Sequence, residues 1–237
     1  MYNTILCMSK KRKLAVFDVD GTIFRSSLAR SLFYKLVEVG IFPKRAKREV
    51  QPEFEAWLNR KGHYDAYIDK LVAVFHKYIK GKYQQDIRDI SRAIVQSEKL
   101  RTYRFTRDLI RDLKKNHYFL VAISGSPFEI VRWYNWFLHF DKTYGSVLET
   151  DKSGRYTGKM KYTYSIADKH FLVHHVVNTQ GVSLKRSVGV GDTEGDISML
   201  EMVERPIAFN PSSGLYKVAK KRGWEIVVER KDMIYRI

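Results

Sequence analysis

The sequence is poor in cysteine, proline and glycine. Its 237 residues include one cysteine, 5 prolines and 14 glycines, whereas hydrophobic residues make up 44%. The single Cys7 excludes an internal disulfide and a cysteine-based zinc cluster. The composition also excludes collagen-like and intrinsically disordered chains. We therefore expect a folded globular protein with one large domain, or with one core domain and an insertion.

Long apolar runs are also missing. No run approaches the roughly 18 residues that a membrane-spanning helix needs. The amino terminus places its charges after a very short apolar patch, which is the reverse of a secretory signal. These features predict a cytoplasmic protein with no membrane partner. Both Met1 and Met8 are candidate translation starts.

Acidic residues are few for a chain of this length. There are 26 of them against 43 lysines and arginines, which gives a formal net charge of +17. Such a charge suits nucleic acid, anionic membranes or phosphorylated small molecules. The excess is spread along the chain, and its two dense clusters, at 10–13 and 44–48, are typical of a solvated tail and a solvated helix face. The distribution therefore argues against a nucleic-acid partner.

Short apolar segments alternate with helical patterns over much of the chain. The apolar segments predict strands at 14–17, 118–123, 187–190, 206–209 and 224–228. The helical patterns cover 105–116, 128–140, 164–179, 196–203 and 215–222. This alternation predicts an α/β fold with a Rossmann-like, doubly wound parallel sheet. Ligands bind such sheets at the carboxyl ends of the strands.

Two segments depart from this alternation. Residues 27–100 show helical apolar spacing without a convincing strand, which predicts an all-helical cap inserted into a core formed by 1–26 and 101–237. Residues 144–160 contain two strand-like arms around Lys152, Ser153 and Gly154, which predicts a hairpin. An insertion directly after the first strand would stand over the carboxyl edge of the sheet.

Polar residues with chemical potential follow the predicted strands. Asp18 and Asp20 lie two apart at the end of the first strand, where Thr22 adds a hydroxyl and Gly21 permits a tight turn. Ser124 and its neighbour Gly125 offer a hydroxyl and backbone N–H groups ahead of a helix, which is an arrangement that binds anions.

Two further groups complete the set. Lys169 lies in a helical stretch and supplies a fixed positive charge, and Asp192 with Asp196 supplies more carboxylate after the third strand. A carboxylate that attacks a phosphate dianion needs cations and N–H donors around the phosphoryl oxygens. The combination therefore favours chemistry on a phosphate ester.

The order D-x-D-G-T, S-G, Lys and G-D-x-x-x-D resembles the haloacid dehalogenase-like hydrolase superfamily. Within it, the chain is similar to the phosphoserine-phosphatase-like branch, which has a helical cap after the first motif. The resemblance extends from Lys13 to the carboxyl terminus. It implies a Mg²⁺-dependent phosphatase that hydrolyses a small phosphomonoester through an aspartyl-phosphate.

The resemblance also implies a role for each carboxylate. Asp18 would be the nucleophile, and Asp20 would first protonate the leaving oxygen and then activate water. The Asp18 carboxylate, the Asp20 backbone carbonyl and the Asp192 carboxylate would hold Mg²⁺, which prefers oxygen ligands. The second aspartate, Asp20, favours a phosphatase over a dehalogenase, which lacks an acid at that position.

The remaining motif residues would bind the phosphoryl group. By resemblance, this set comprises Thr22, Ser124, the Gly125 amide and Lys169. Asp196 would support them by positioning Lys169 or a metal-bound water.

Two positions differ from the phosphoserine phosphatase pattern. The acid expected shortly after the first motif is missing from residues 23–28, and Gly195 stands where an asparagine is expected. A pocket without that acid has no partner for the ammonium of phosphoserine. We therefore expect a phosphomonoester without an amine, such as a sugar or polyol phosphate.

Two alternatives stay open. A phosphotransferase on the same scaffold would pass the phosphoryl group from Asp18 to an alcohol, and product analysis with an acceptor alcohol separates it from a hydrolase. A basic nucleic-acid-binding protein would instead use the +17 charge and would show a strongly salt-dependent affinity. The sequence leaves the oligomeric state open.

Overall fold

A computed structural model describes residues 11–161 and 168–237. Nine strands occur in these residues. They are β1 Lys13–Asp18, β2 Phe119–Pro127, β3 Lys142–Ser146, β4 Leu148–Thr150, β5 Tyr156–Met160, β6 Ser183–Gly191, β7 Arg205–Phe209, β8 Glu225–Arg230 and β9 Met233–Arg236. Seven of them form one sheet in the order β3-β2-β1-β6-β7-β8-β9. All its pairs are parallel except β8 with β9, which confirms the predicted Rossmann-like parallel sheet.

Helices surround this sheet and connect its strands. They are α1 Leu28–Glu38, α2 Lys44–Leu58, α3 Tyr64–Ile79, α4 Gln84–Glu98, α5 Arg104–Lys115, α6 Phe128–Leu138, α7 Lys169–Gln180, α8 Ile197–Leu200 and α9 Ser213–Arg222. A single 3₁₀ turn, Glu194–Asp196, precedes α8. Among the described helices, none combines the length and the apolar character needed to cross a bilayer.

Strand β1 lies in the middle of the sheet and is buried on both faces. Ala15 and Phe17 pack into the apolar cluster on one face, and Leu14 and Val16 pack into the cluster on the other. All four side chains are inaccessible to solvent. This continuous apolar run is typical of a parallel strand covered by helices on both sides, and it places Asp18 at the carboxyl edge of the sheet.

Helices α1 to α4 occupy the segment predicted to be a cap. Their buried side chains, including Leu32 and Tyr67, belong to the same apolar cluster as Phe17 of the sheet and Tyr134 of α6. The segment is therefore all-helical, as predicted, and packs directly against one face of the sheet. The division of the chain into a core and a cap at 27–100 stays a prediction.

The structure corrects the interpretation of residues 144–160. The hairpin consists only of β4 and β5, whereas Tyr144 to Ser146 belong to β3, which pairs with β2 at the edge of the main sheet. Strand β3, with the sequence KTYGS, is a short edge strand that is only partly buried. It therefore needs few apolar residues, and its polarity pattern resembles that of a loop. Helix α7 begins at Lys169, and residues 164–167 of the predicted helix lie outside the described residues.

Candidate active site

Three neighbouring strands of the sheet bring the candidate residues to one edge. Asp18 ends β1 and is in register with Ile123 of β2, so the next residue, Ser124, lies beside it. Phe17 is in register with Val190 of β6, which places Asp192 just beyond the end of that strand. The expectation that the motifs meet at the carboxyl edge is fulfilled by this register.

Lys169 connects two of the carboxylates. Its Nζ donates to Oδ1 of Asp18 at 2.6 Å and to Oδ1 of Asp196 at 2.5 Å. All three side chains are buried. Burial alone would lower the pKa of Lys169, but Asp18 and Asp196 reverse this effect and raise it above its ordinary value. The ammonium group is therefore held in its charged form at the centre of the site.

Asp196 is fully occupied by this role. Its Oδ1 accepts from Lys169, and its Oδ2 accepts from the backbone N–H groups of Asp192 and Thr193 at 2.8 and 2.9 Å. Thr193 and Asp196 cap the 3₁₀ turn reciprocally. These contacts agree with the first of the two predicted roles, in which Asp196 positions Lys169.

The site has an excess of buried negative charge. Oxygen atoms of Asp18, Asp192 and Asp196 all lie within 4.8 Å of one another, and Lys169 contributes the one positive charge that contacts this group among the described residues. Burial, followed by the charge of neighbouring carboxylates, raises the pKa of Asp192 well above its usual value. For Asp18, burial raises the pKa and Lys169 offsets part of the increase.

An unpaired carboxylate oxygen indicates which kind of ligand this negatively charged site can bind. Asp18 Oδ2 is buried and has no hydrogen-bond partner among the described residues. Three carboxylates and one ammonium leave two uncompensated negative charges, and the atoms available as metal ligands are carboxylate oxygens. A divalent cation that prefers carboxylate ligands fits this set in both charge and chemistry.

Asp20 lies on the other side of the site and faces helix α1. Its Oδ2 accepts hydrogen bonds from the hydroxyls of Ser124 at 2.5 Å and Ser126 at 2.8 Å, and its Oδ1 accepts from the backbone N–H of Leu28. Burial raises the pKa of Asp20, and these hydrogen bonds offset part of the increase. The carboxyl group therefore joins the second motif to Leu28, the first residue of α1.

The turn after Asp20 requires glycine. Gly21 has a φ of +85°, and a Cβ at this position would lie 2.1 Å from Oδ2 of Asp192. Thr22, predicted to bind phosphate, donates its hydroxyl to Oδ1 of Asp192 at 3.2 Å. The Asp18–Thr22 turn thus packs directly against the loop that carries Asp192.

The second motif presents an accessible backbone. Gly125 is exposed, whereas the flanking Ser124 and Ser126 are buried. Ser146 of β3 donates its hydroxyl to the Gly125 carbonyl at 2.7 Å, and the Ser126 N–H donates to Oγ of Ser124 at 3.0 Å. These bonds fix the loop in which the Gly125 amide was predicted to bind the phosphoryl group.

The sequence interpretation missed three residues at this site. Ser126 contacts Asp20 and also accepts from the backbone N–H of Ala29 in α1 at 2.8 Å, so it holds the acid and the helix together. Burial raises the pKa of Tyr64, as does the nearby charge of Asp20. Burial and the charge of Asp192 likewise raise the pKa of Tyr103, so both phenols are in the electrostatic field of the site carboxylates. No motif marks these positions in the sequence.

The family model of the haloacid dehalogenase-like hydrolases matches residues 15–201, which include the carboxyl ends of β1, β2 and β6. The chain belongs to this hydrolase family. The resemblance inferred from four short motifs is thereby confirmed.

Individual relatives extend the similarity to more than nine tenths of the chain. Histidinol-phosphatase of Neisseria meningitidis is 24% identical over 234 residues, covering 91% of this chain and 98% of the relative. The inhibition of morphological differentiation protein of Streptomyces azureus is 24% identical over 226 residues, which cover 92% of this chain and 79% of the relative. The solved structure of a substrate-bound phosphoserine phosphatase complex has a TM-score of 0.63 at 21% identity, and the match covers 94% of this chain and 95% of that structure's chain. The protein is a phosphatase of this hydrolase family.

Proposed function

We propose that this phosphatase hydrolyses a small phosphomonoester through an aspartyl-phosphate formed on Asp18, with Mg²⁺ bound beside it. The observation that carries the proposal is Oδ2 of Asp18, a buried carboxylate oxygen without a partner, next to the Lys169 ammonium. A buried polar atom without a partner is costly, so its retention at the edge of the sheet favours a reacting role. We also propose that residues 27–100 form a cap domain on the core.

The first step is an attack by the Asp18 carboxylate on phosphorus. A P–O bond forms to Asp18 while the ester P–O bond breaks, and the departing oxygen takes a proton from Asp20. Lys169, the Ser124 hydroxyl and the Gly125 amide stabilise the phosphoryl oxygens, which carry the charge of the transition state.

The second step regenerates the enzyme. Asp20 removes a proton from a water molecule, whose oxygen attacks phosphorus and displaces the Asp18 carboxylate. The products are inorganic phosphate and the free alcohol. Because Asp20 contacts Leu28 of α1, movement of the helical segment would change the position of the acid and base.

The Asp18 and Asp192 carboxylates and the Asp20 backbone carbonyl would hold Mg²⁺. The ion would supply positive charge that lowers the repulsion between the phosphate and the Asp18 carboxylate. Asp196 is occupied by Lys169 and by two backbone N–H groups, so it would hold the ammonium in place instead of serving as a ligand.

Mg²⁺ is expected to stabilise the protein without substrate, because the cation offsets buried negative charge. Saturation at roughly 100-fold above Kd corresponds to about 2.7 kcal/mol of unfolding free energy. The measurement is thermal unfolding with chelator, Mg²⁺ or Ca²⁺, with phosphate release measured in parallel. Chelator and excess Ca²⁺ are expected to suppress turnover, since Ca²⁺ takes longer bonds and more ligands.

A matched variant locates the effect. Asp192→Asn is expected to remove most of the stabilisation by Mg²⁺, whereas Asp112→Asn on the exposed face of α5 retains it. Full activity in chelator, or equal stabilisation of the Asp192 variant, would refute the metal assignment.

Asp20→Asn is expected to slow alkyl phosphates by about 10²–10⁴-fold and aryl phosphates much less. Aryl leaving groups depart without full protonation, so they depend less on the acid. The measurement is kcat/KM for an alkyl and an aryl phosphate with the variant and with Asp112→Asn as control. Equal losses for both substrates would contradict the acid role.

Substrate selection follows from the residues after the first motif. Ile23, Phe24 and Leu28 are buried in the apolar core, while Ser27 caps α1 by accepting from the Arg30 N–H. The residues between Phe24 and Leu28 include the exposed Arg25 and no acid. The candidate replacement acids are Glu38, Glu53 and Glu55. Glu38 is paired with Lys35, and Glu55 accepts a hydrogen bond from Gln51.

Phosphoserine is therefore expected to be a poor substrate compared with a sugar or polyol phosphate. An ammonium without a partner costs several kcal/mol when buried, which corresponds to orders of magnitude in kcat/KM. The test compares kcat/KM for phosphoserine, histidinol phosphate and polyol phosphates at equal Mg²⁺. A preference for either amine would overturn the expectation, and Glu38, Glu53 and Glu55 would then be tested as replacements for the missing acid.

A further inference from the structure

A dense group of positive charges lies at the start of α2. Lys44, Arg45, Lys47 and Arg48 all occur within its first five residues, and its first turn contains no acid. All four residues are exposed. The sequence alone indicated a solvated helix face for this cluster.

The fold adds charges from a distant part of the chain to this cluster. Lys77 of α3 pairs with Glu49 of α2 at 2.9 Å, so the start of α2 lies beside the end of α3. Lys80 and Lys82 follow in the loop after α3. The cluster that the sequence shows at 44–48 is therefore only part of a larger basic surface.

We call this surface, formed by residues 43–50 and 76–83, the basic patch. It contains seven lysines and arginines and one acid, Glu49. Glu49 accepts hydrogen bonds from Lys77 and from the Tyr78 hydroxyl. Six cations form no ion pair within the described part of the chain: Lys44, Arg45, Lys47, Arg48, Lys80 and Lys82.

This arrangement is unfavourable for helix α2 itself. The positive end of the helix dipole lies at the first turn, where acids stabilise a helix and cations destabilise it. Lys44, Arg45 and Lys47 occupy this turn, and Pro43 before them provides no side-chain cap. Repulsion between neighbouring cations adds to the cost. These charges therefore do not stabilise the fold, and they are suited to an anionic partner outside the chain.

The composition of the basic patch indicates which polyanion it suits. Its residues include no Asn, Gln, Ser or Thr, which are common hydrogen-bonding partners of bases. Tyr78 is buried, and the Arg155 guanidinium covers one face of the Tyr83 ring at 3.7 Å, so little aromatic surface is available for stacking on bases. Tyr83 is nevertheless 43% exposed, and a tyrosine ring is favourable at the boundary of a headgroup layer. Point charges beside such a ring fit a lipid surface better than a nucleic acid.

We propose that the basic patch docks this protein on an anionic phospholipid surface. Its lysines and arginines lie against the headgroup phosphates, and the Tyr83 ring lies at the boundary of the headgroup layer. The sequence predicted no membrane partner because long apolar runs are missing. A patch assembled from two helices leaves no such run in the sequence, and the docking does not depend on the proposed reaction.

The basic patch and the active site lie at opposite ends of α3. The helix has 16 residues, which span about 24 Å. Its first residue is Tyr64, whose pKa is raised in part by the charge of Asp20, so this end is near the site. Docking and catalysis therefore use separate surfaces, and the docked protein can still act on a soluble ester.

The test is co-sedimentation of the full chain with vesicles of phosphatidylcholine, alone or mixed with phosphatidylglycerol. The mixed vesicles are expected to bind at least about tenfold more tightly, and added salt is expected to weaken this binding. The double variant Lys47→Glu/Arg48→Glu is expected to lose at least about tenfold in affinity. The control is Lys220→Glu/Lys221→Glu at the exposed end of α9, which changes the net charge equally and is expected to bind as the unmodified protein does.

Thermal unfolding checks that both variants fold, and Lys47→Gln/Arg48→Gln replaces the first if it does not. Binding to the mixed vesicles that is lost in the patch variant and retained in the control supports the proposal. No preference for phosphatidylglycerol, or an equal loss in both variants, overturns it. Duplex DNA or RNA is offered to the same three proteins. Nucleic-acid binding that the patch variant loses, together with no vesicle binding, would assign the basic patch to nucleic acid and would also overturn the proposal.

Discussion

Asp18→Asn is expected to lower kcat by at least about 10⁴-fold, because the amide oxygen is a poor nucleophile toward phosphorus. The fold is expected to persist, since asparagine has nearly the same shape and the substitution removes one of several crowded buried negative charges. The measurement combines single-turnover phosphate release with thermal unfolding of the variant.

Asp112→Asn, an exposed position on α5, is the matched control and is expected to behave as the unmodified protein. If Asp18→Asn retained more than a small fraction of activity, Asp18 would not be the nucleophile. If the variant failed to fold, Asp18→Glu would be used instead. The glutamate keeps the charge and moves the attacking oxygen, so turnover is again expected to collapse.

Lys169→Met is expected to reduce both activity and stability. Removing the ammonium leaves Asp18 and Asp196 buried without the cation they contact at 2.6 and 2.5 Å. Breaking a buried ion pair from one side costs about 3–5 kcal/mol. Activity is expected to fall by roughly 10²–10³-fold or more, as when a donor to the transition-state charge is deleted.

Denaturant unfolding at mildly alkaline pH, where the carboxylates stay ionised, measures the loss of stability. Lys217→Met, an exposed lysine on α9, controls for the loss of a positive charge. Mg²⁺ is expected to restore part of the stability of Lys169→Met but not its turnover. Unchanged stability of this variant would contradict the buried charge balance described for the site.

The sequence was sufficient for five strands of the main sheet, β1, β2, β6, β7 and β8, and for the carboxylates that follow β1 and β6. Segments such as 14–17 are apolar without interruption because both faces of β1 are covered, and a polar residue then marks the end of the strand clearly. Asp18, Lys169 and Asp196 were predicted from three distant motifs, and the register of the parallel strands brings them into contact. Their assigned chemical roles stay predictions.

Other features could not be obtained from the sequence. Strand β3 is short and only partly buried, and it lies at the edge of the sheet beside β2, so it lacks the continuous apolar run of a buried parallel strand. Ser126 and Tyr64 approach Asp20 only through tertiary contacts between the helical segment and the second motif. A serine in a loop and a tyrosine at a helix start have no spacing that reveals such contacts.

The central claim is that the phosphoryl group passes through Asp18. The direct measurement is rapid acid quenching of a single turnover, followed by proteolysis and mass spectrometry of the phosphorylated peptide. We predict a hydroxylamine-sensitive phosphoryl group on Asp18 that forms and decays at the rate of phosphate release and is missing from Asp18→Asn. Phosphate release at the full rate without any phosphorylated Asp18, or with the label on another residue, would contradict the account.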